Sequence, residues 1–467
     1  MARGKSYGLV ALAAAVCGLA AITPALRAEP APVAATTDAA TIARGEYLTR
    51  AADCEVCHTG PGARPYSGGL PMRTPFGTIW SSNLTPDAQT GIGTWTAAQF
   101  SRAVRRGIRA DGQHLYPAMP YTSYVQLTDA DVVAIYAYLH SLAPVRHAVR
   151  QDGMGFPYNQ RVALAGWNAI NFDPAPFRAD PAQSAVWNRG KYVAVALGHC
   201  QECHTPRNLA MGLGHAAYAG ATVDGWQAYN ITSSPSAGIG TWSEPDLERY
   251  LSTGALAGKA TAAGGMADVI GHSLRYLTPA DLTALATYVK SIPPQGADGT
   301  SRFAFGAPHD VAAIVRDPAQ THPSEGAQLY AGNCASCHGR AGAGGGNSYY
   351  PSLFHNSATG ATAPNNLVQV ILNGVHRTGN QGQAIAMPAF ASQLDDAQAA
   401  ALANYLIDTY GRGAGKVGAG FVASERSGAV AVIPGWLLIG APVLLVLLAL
   451  VFIIWRRRSL KRSSDNA

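Results

Sequence analysis

The stretch Cys54-Glu55-Val56-Cys57-His58 decides the fold of this chain. The same Cys-x-x-Cys-His pattern returns at residues 200–204 and again at residues 334–338. On a helical turn, residues three apart lie on one face, so both thiols can reach one edge of a porphyrin and the next imidazole can reach its iron. The pattern is typical of c-type haem attachment. The predicted attachment and proximal iron-binding residues are Cys54, Cys57 and His58; Cys200, Cys203 and His204; and Cys334, Cys337 and His338.

The cysteine count favours haem over two alternatives. One Cys-x-x-Cys could also be half of a zinc site or a redox pair. The chain has seven cysteines, of which six lie in the three motifs and the seventh is Cys17. No cysteine remains to complete a zinc site, and a disulfide between residues three apart is rarely structural. We therefore predict three covalently bound haem c groups.

Length and charge set further limits. A chain of 467 residues holds about three domains of roughly 150 residues. The net charge of +6 comes from the ends, because residues 1–28 carry +3 and residues 456–467 carry +4. The remaining residues, 29–455, carry −1, so we expect no nucleic-acid surface.

The N-terminus resembles an export signal. Arg3 and Lys5 precede an apolar run over residues 7–22, and small residues follow near Ala25 and Ala28. We interpret residues 1–28 as a signal peptide that is removed together with Cys17. A retained anchor helix is the alternative, although the run is shorter than the roughly 20 residues that cross a bilayer.

The C-terminus resembles a membrane span. Residues 427–455 contain no charged residue, and Trp436 and Trp455 bracket the most apolar part. We predict a transmembrane helix over residues 429–455 and a cytoplasmic basic tail over residues 456–467. Positive charge stays inside, which puts the haem domains on the periplasmic face of a bacterial inner membrane. A buried core helix is the alternative.

An internal repeat divides the rest of the chain. Haem domains are predicted at residues 41–145, 184–296 and 310–412, with a linker at residues 146–183 and a flexible linker at residues 413–428. Each repeat has a glycine in a short helical run before its motif and an aromatic in its closing helix. These residues are Gly45, Gly190 and Gly326, and Tyr138, Tyr288 and Tyr405. We expect the closing helices to begin at Thr128, Thr278 and Leu394, and to cross the first helices closely at the glycines.

Methionines placed before the closing helices are the predicted sixth iron ligands. They are Met119, Met266 and Met387. Met72 and Met211 lie too close to their motifs to reach the far face of a haem. The rival histidines share no common place in the repeats; they are His114, His272, His355 and His376. Iron with histidine and methionine ligands has no open position, so it passes electrons.

Two further stretches recur in the first two repeats. They are Asn83-Leu84-Thr85 with Asn230-Ile231-Thr232, and the Gly-Ile-Gly-Thr-Trp sequence at residues 91–95 and 238–242. We interpret both as loops packed under a haem. The chain has no flavin-binding glycine motif, so we predict no catalytic residue and no substrate-oxidising site of its own.

The chain resembles the triheme cytochrome c subunits of membrane-bound dehydrogenases. The stretches that carry the resemblance include GEYLTRAADCEVCHT, LYPAMPY, HCQECHTPRN, GGMADVIGHS and AMPAF. The resemblance implies a mainly α chain with three class I cytochrome c-like haem domains in tandem plus one C-terminal transmembrane helix. It also implies a large catalytic partner subunit that contains flavin or pyrroloquinoline quinone, and ubiquinone as electron acceptor.

The terminal span resembles the flavoprotein-linked members more than the quinoprotein-linked ones. We therefore expect a gluconate 2-dehydrogenase-like complex that acts on a sugar acid or polyol. The alternatives are a subunit of a quinoprotein alcohol or aldehyde dehydrogenase, and a stand-alone membrane cytochrome that connects quinone to a terminal oxidase. In the linker, Trp167, Phe172 and Phe177 either form a ridge for a partner or membrane, or pack against the first haem domain.

Overall fold

The computed structural model describes residues 38–311, 322–345, 349–378, 382–413 and 416–428. The predicted signal peptide (1–28), transmembrane helix (429–455) and basic tail (456–467) lie outside these residues. Within the described ranges, no helix combines the length and the apolar character needed to span a bilayer. The described chain is mainly α, as the sequence predicts, and it also contains short two-stranded hairpins, which the sequence analysis does not predict.

Three helical units follow one another. Unit one contains α1 (Ala39–Ala51), α2 (Cys54–Cys57), β1 (Pro71–Thr74), β2 (Gly77–Trp80), α3 (Ala97–Arg106), α4 (Tyr121–Tyr124) and α5 (Asp129–Ser141). A connector with α6 (Leu164–Asn171) leads to the next unit. Unit two contains α7 (Ala185–Tyr192), α8 (Gln201–His204), β3 (Ala221–Val223), β4 (Trp226–Ala228), α9 (Glu244–Thr253), β5 (Ala255–Leu256), β6 (Ala260–Thr261), α10 (Gly264–His272) and α11 (Pro279–Ser291).

Unit three and a short extension complete the described chain. Unit three contains α12 (Glu325–Asn333), α13 (Ala335–His338), α14 (Ser357–Gly360), α15 (Asn365–Asn373), β7 (Val375–Thr378), β8 (Ala384–Met387) and α16 (Asp396–Tyr410). The extension is α17 (Ala419–Ser427). All four hairpins are antiparallel, and β7 pairs Val375 with Met387.

The first and last helices of each unit cross at a glycine, as the repeat predicts. A Cβ placed on Gly190 would lie 1.8 Å from the carbonyl oxygen of Ala284 in α11. The corresponding approaches at Gly45 and Gly326 are 2.0 Å and 2.3 Å. Since no real Cβ fits at such distances, only glycine allows these crossings.

The closing helices begin at side-chain caps. The hydroxyl of Thr128 accepts a hydrogen bond from the backbone N–H of Asp131, and Thr278 does the same for Asp281. Both predicted caps are confirmed. In the third unit the cap is Asp395, one residue after the predicted start, and it forms a reciprocal capping box with Gln398.

The three units contain two apolar cores, one shared by units one and two and one within unit three. One continuous cluster contains Leu48 and Leu139 of unit one together with Leu197 and Leu285 of unit two. Unit three has a separate cluster, centred on the fully buried Tyr330. Units one and two are therefore packed as a pair.

The prediction of a flexible linker over residues 413–428 needs correction. Residues 419–427 form α17, which buries Val422 completely against unit three. Arg426 donates to the carboxylate of Asp396 at 2.7 Å and to backbone carbonyls of the same unit. The glycines around α17 led to the prediction of a flexible linker. The partners that hold α17 in place belong to unit three, so the sequence of the segment itself does not reveal them.

The three aromatics of the connector contact different parts of the pair. Phe172 packs edge-on against Tyr121 of unit one, and Phe177 packs edge-on against Tyr192 of unit two. The indole N–H of Trp167 donates to the carbonyl of Ala210 at 2.7 Å. The connector therefore fills the seam between the units, and these side chains do not form a single ridge.

Candidate haem-binding sites

Each Cys-x-x-Cys-His motif lies on a short helix that follows the first helix of its unit, namely α2, α8 and α13. None of the six motif thiols is in a disulfide. Burial raises the pKa of Cys54, Cys200 and Cys334 to about 12. A redox pair needs a thiol whose pKa is lowered, so these thiols do not have the character of a thiol–disulfide exchange pair.

The three motif histidines share one hydrogen bond. Nδ1 of His58 lies 2.6 Å from the carbonyl oxygen of Ser82, and Nδ1 of His204 lies 2.6 Å from that of Tyr229. Nδ1 of His338 lies 2.9 Å from the carbonyl oxygen of Pro351. A proton on Nδ1 makes this contact a hydrogen bond and leaves Nε2 as the lone-pair nitrogen, which is how proteins orient a metal-binding imidazole.

The protonation of these imidazoles fits the same role. Burial lowers the pKa of all three, against the raising effect of the carbonyl hydrogen bond. The neutral form is the one that can bind a metal.

The repeated Asn-x-Thr loops hold two of the carbonyl acceptors in place. Asn83 follows Ser82, accepts from both the N–H and the hydroxyl of Thr85, and donates to the carbonyl of Val145 at 2.7 Å. Asn230 follows Tyr229 and makes the matching bonds to Thr232 and Gln295. The loops thus support the histidines from outside the motif. In unit three, Ser352 follows Pro351 and donates to the carbonyl of Phe354.

Unit three provides the clearest test of fit. Cys334, Cys337, His338 and Met387 all line one cavity. Its other walls are largely apolar, and they include Pro351, Leu367, Ile371, Leu402 and Leu406. Two thiols, an imidazole and a thioether that converge on one apolar cavity are the side chains that a covalently attached haem with histidine and methionine ligation requires.

The other two predicted methionines, Met119 and Met266, are half-buried against the shared core of units one and two, as are Cys54 and Cys200. Met72 lies on β1, and Met211 is exposed in a loop. Among the rival histidines, His355 has Nδ1 3.2 Å from the carbonyl of Phe303, and His376 lies exposed on β7.

Polar contacts bring the motifs of units one and two together. Glu202, inside the second motif, accepts hydrogen bonds from Thr122 and Ser123 of unit one at 2.9 Å and 3.2 Å. Ser273 of unit two donates to the carbonyl of Ala51, just before the first motif. Sequence reasoning missed these contacts, because the variable positions of the motif give no signal of their own.

The comparisons with known proteins agree with this geometry. The family model for cytochrome c matches residues 42–143, and the model for subunit III of the cbb3-type cytochrome c oxidase matches residues 321–406. The chain is 42% identical over 421 residues to the fructose dehydrogenase cytochrome subunit of Gluconobacter japonicus, covering 86% of each chain.

The chain belongs to the family of dehydrogenase cytochrome c subunits. Two further relatives of this family are the gluconate 2-dehydrogenase cytochrome c subunit of Pantoea cypripedii and the cytochrome c subunit of the quinone alcohol dehydrogenase of Gluconacetobacter polyoxogenes. The first is 40% identical and covers 80% of this chain and 87% of its own. The second is 37% identical and covers 85% and 87%. As a family member, the chain is a haem c protein, and its relatives serve catalytic dehydrogenases.

Proposed function

We propose that this chain carries three haem c groups and relays electrons from a catalytic dehydrogenase subunit to ubiquinone. The observation that carries the proposal is the repeated histidine–carbonyl bond, which recurs at His58, His204 and His338. The two family models match units one and three. The proposal of a further haem in unit two is supported by the motif, the carbonyl bond and the glycine crossing, which all recur there.

The residues of this chain would hold each haem from two sides. The thiols of each motif would form the two thioethers, and the iron would be held by Nε2 of the motif histidine together with Met119, Met266 or Met387. When bound in this way, haem supplies a one-electron couple with no open position for substrate. The protein would then orient and desolvate each group, and it would contribute no catalytic residue.

The proposed partner is a large periplasmic subunit that contains flavin and oxidises a sugar acid or polyol. Relatives named for fructose and gluconate dehydrogenases support this choice. The proposal includes an export signal at residues 1–28 and an anchor at residues 429–455, which places the haem units at the periplasmic face of the inner membrane.

A quinoprotein partner is the second candidate, because a relative named for a quinone alcohol dehydrogenase is 37% identical. Purification from native membranes in mild detergent, followed by cofactor analysis, separates the candidates. A copurifying large subunit with flavin supports the first proposal, and pyrroloquinoline quinone supports the second. A cytochrome that is isolated alone or with an oxidase contradicts both and favours the stand-alone electron carrier.

Met387 provides a direct test of the sixth ligand. We expect Met387→Ala to lower the midpoint potential of one haem and to leave three haems bound, because the thioether stabilises the reduced iron. Redox titration of the haem absorbance measures this shift. Met211→Ala is the control, since that side chain is exposed in a loop. Three unchanged potentials in the Met387 variant would remove it from the ligand set.

A further inference from the structure

The exposed apolar side chains of the described residues are concentrated in one region. Five of the eight large apolar residues whose side chains lie open to solvent belong to the connector or to one loop of unit two. Val162 and Ile170 keep 77% and 81% of their surface exposed. A single exposed apolar residue needs no explanation, whereas a group of them marks an interaction surface. We call this group the connector patch; its members are Phe156, Val162, Ile170, Leu209 and Met211.

The outer face of α6 carries no polar side chain. From residue 162 to residue 170, every exposed residue is apolar or glycine. The partly buried Asn168 is turned inward, where it accepts a hydrogen bond from the hydroxyl of Tyr121 at 2.7 Å. A helix on a water-exposed surface has its polar residues outside. The reversed arrangement in α6 indicates that another apolar surface covers this face in the working protein.

Two hydrogen bonds join the loop of unit two to α6. The indole N–H of Trp167 donates to the carbonyl of Ala210 at 2.7 Å, and the side-chain amide of Asn208 donates to that of Asn171 at 3.0 Å. These bonds hold the loop that contains Leu209 beside α6. The connector patch therefore extends from the connector to the loop that follows the second Cys-x-x-Cys-His motif.

The described chain reaches Gly428 close to the beginning of the connector. A Cβ built on Gly428 would lie 3.3 Å from a terminal nitrogen of Arg73 in β1. Arg73 pairs with Thr78 of β2, and the backbone N–H of Thr78 donates to the carbonyl of Gly153 in the connector at 3.0 Å. The proposed anchor starts one residue after Gly428, so the bilayer that receives it lies beside the hairpin against which the connector packs.

The charge of this region fits an anionic lipid surface. From residue 146 to the end of α6, the connector contains three arginines and one aspartate, and the loop over residues 205–214 adds Arg207 without an acid, so the two stretches carry +3. Arginines beside an apolar face are attracted to anionic phospholipid head groups. Aromatic rings prefer the same interface, and Tyr158, two residues after Phe156, packs against Phe76 of the hairpin at 4.8 Å.

We propose that the connector patch lies on the phospholipid surface of the membrane and holds units one and two against it. This inference rests on the proposed function, because it uses the anchor proposed at residues 429–455. The apolar face of α6 would enter the boundary between head groups and acyl chains, as amphipathic helices parallel to a membrane do. The anchor then fixes the chain in the bilayer, and the patch fixes the orientation of the paired units relative to it.

The test places a nitroxide label on the patch of the full-length chain. Ile170→Cys and Leu209→Cys are labelled separately and reconstituted into vesicles of phosphatidylethanolamine and phosphatidylglycerol. Paramagnetic resonance then measures the accessibility of each label to oxygen, which concentrates in lipid, and to a nickel chelate, which stays in water. We expect the oxygen-to-chelate ratio at both positions to be at least about threefold higher than at Arg249→Cys, the matched control on the exposed face of α9.

Each result identifies a different surface beside the label. A ratio at Ile170→Cys equal to that at Arg249→Cys would show that the patch faces water, and it would overturn the inference. Protection from both reagents would show that a second copy or the catalytic subunit covers the patch, and it would also overturn the inference. A chain that does not float with the vesicles contradicts the anchor as well as the patch. Label uptake at the motif thiols of the unsubstituted chain would instead contradict the proposed haem attachment alone.

Discussion

Units one and two are joined by charged side chains, whereas unit three is joined to unit two mainly through backbone and amide groups. Tyr47 of unit one donates to Asp281 of unit two at 2.5 Å, and Tyr192 of unit two donates to Asp131 of unit one at 2.5 Å. Each carboxylate also binds an arginine of its own unit, Arg189 or Arg44. This reciprocity is typical of a twofold-related interface, formed here by two repeats of one chain.

Unit three lacks every member of this cluster. Glu325 and Gln328 replace the arginine and the tyrosine beside the crossing glycine, and Gln398 replaces the aspartate in the closing helix. The contacts to unit two instead end mainly on backbone groups: Asn366 exchanges two hydrogen bonds with the backbone of Gln227, and Arg377 donates to the carbonyl of Thr253. The difference indicates that units one and two form a pair around one shared core, to which unit three, with its own core, is attached.

Removing one carboxylate of the pair should have the largest effect on stability. Asp281→Ala leaves Arg189 and Tyr47 half-buried without their acceptor, and we expect a loss of about 3 kcal/mol in the free energy of unfolding of the pair. Denaturant unfolding followed by tyrosine and tryptophan fluorescence measures it. The matched control is Gln398→Ala, which changes the same helix position in unit three and only a local capping box. Equal effects of both variants would show that the reciprocal cluster does not contribute to the free energy of unfolding of the pair.

The glycine crossing is common to all three units, so its disruption should not distinguish them. Gly326→Ala places a Cβ 2.3 Å from the carbonyl oxygen of Ala401, and we expect a loss of about 2 kcal/mol. Gly332→Ala lies on the same helix with no atom within 4 Å and should be neutral or stabilising by up to about 1 kcal/mol. Thermal unfolding of both variants tests this, and a tolerated Gly326→Ala would contradict the close crossing.

The sequence predicted those features of the molecule that depend on residues close together in the chain. The motifs, the closing helices and the glycines at their crossings could be read from the sequence, because each depends on residues a few positions apart. The acceptors of the motif histidines could not, since Ser82, Tyr229 and Pro351 act through backbone carbonyls, which have no side-chain signature.

The pairing of the units was also hidden. Tyr47 and Asp281 are 234 positions apart, and each is an unremarkable surface residue when its own helix is considered alone. The repeat contains one sequence pattern that indicates this pairing. Arginine precedes and tyrosine follows the crossing glycine in units one and two but not in unit three. A surface pattern that two repeats share and the third lacks is what an interface between the two would produce.

We expect acid to lower the stability of the pair of units one and two more than that of unit three. Burial alone would raise the pKa of Asp281, but the hydrogen bonds from Arg189 and Tyr47 outweigh it and hold the pKa below its usual value. The stability that this carboxylate contributes is complete above the unfolded pKa of about 3.9 and is lost as the pH falls through the lower, folded value.

Below about pH 4, the free energy of unfolding should therefore fall less steeply with decreasing pH in Asp281→Asn than in wild type. Gln398→Ala should keep the wild-type slope, because unit three has no carboxylate at this position. Equal slopes in wild type and Asp281→Asn would mean that the cluster is not ionised as its geometry indicates, and that its carboxylate adds no pH-dependent stability to the pair.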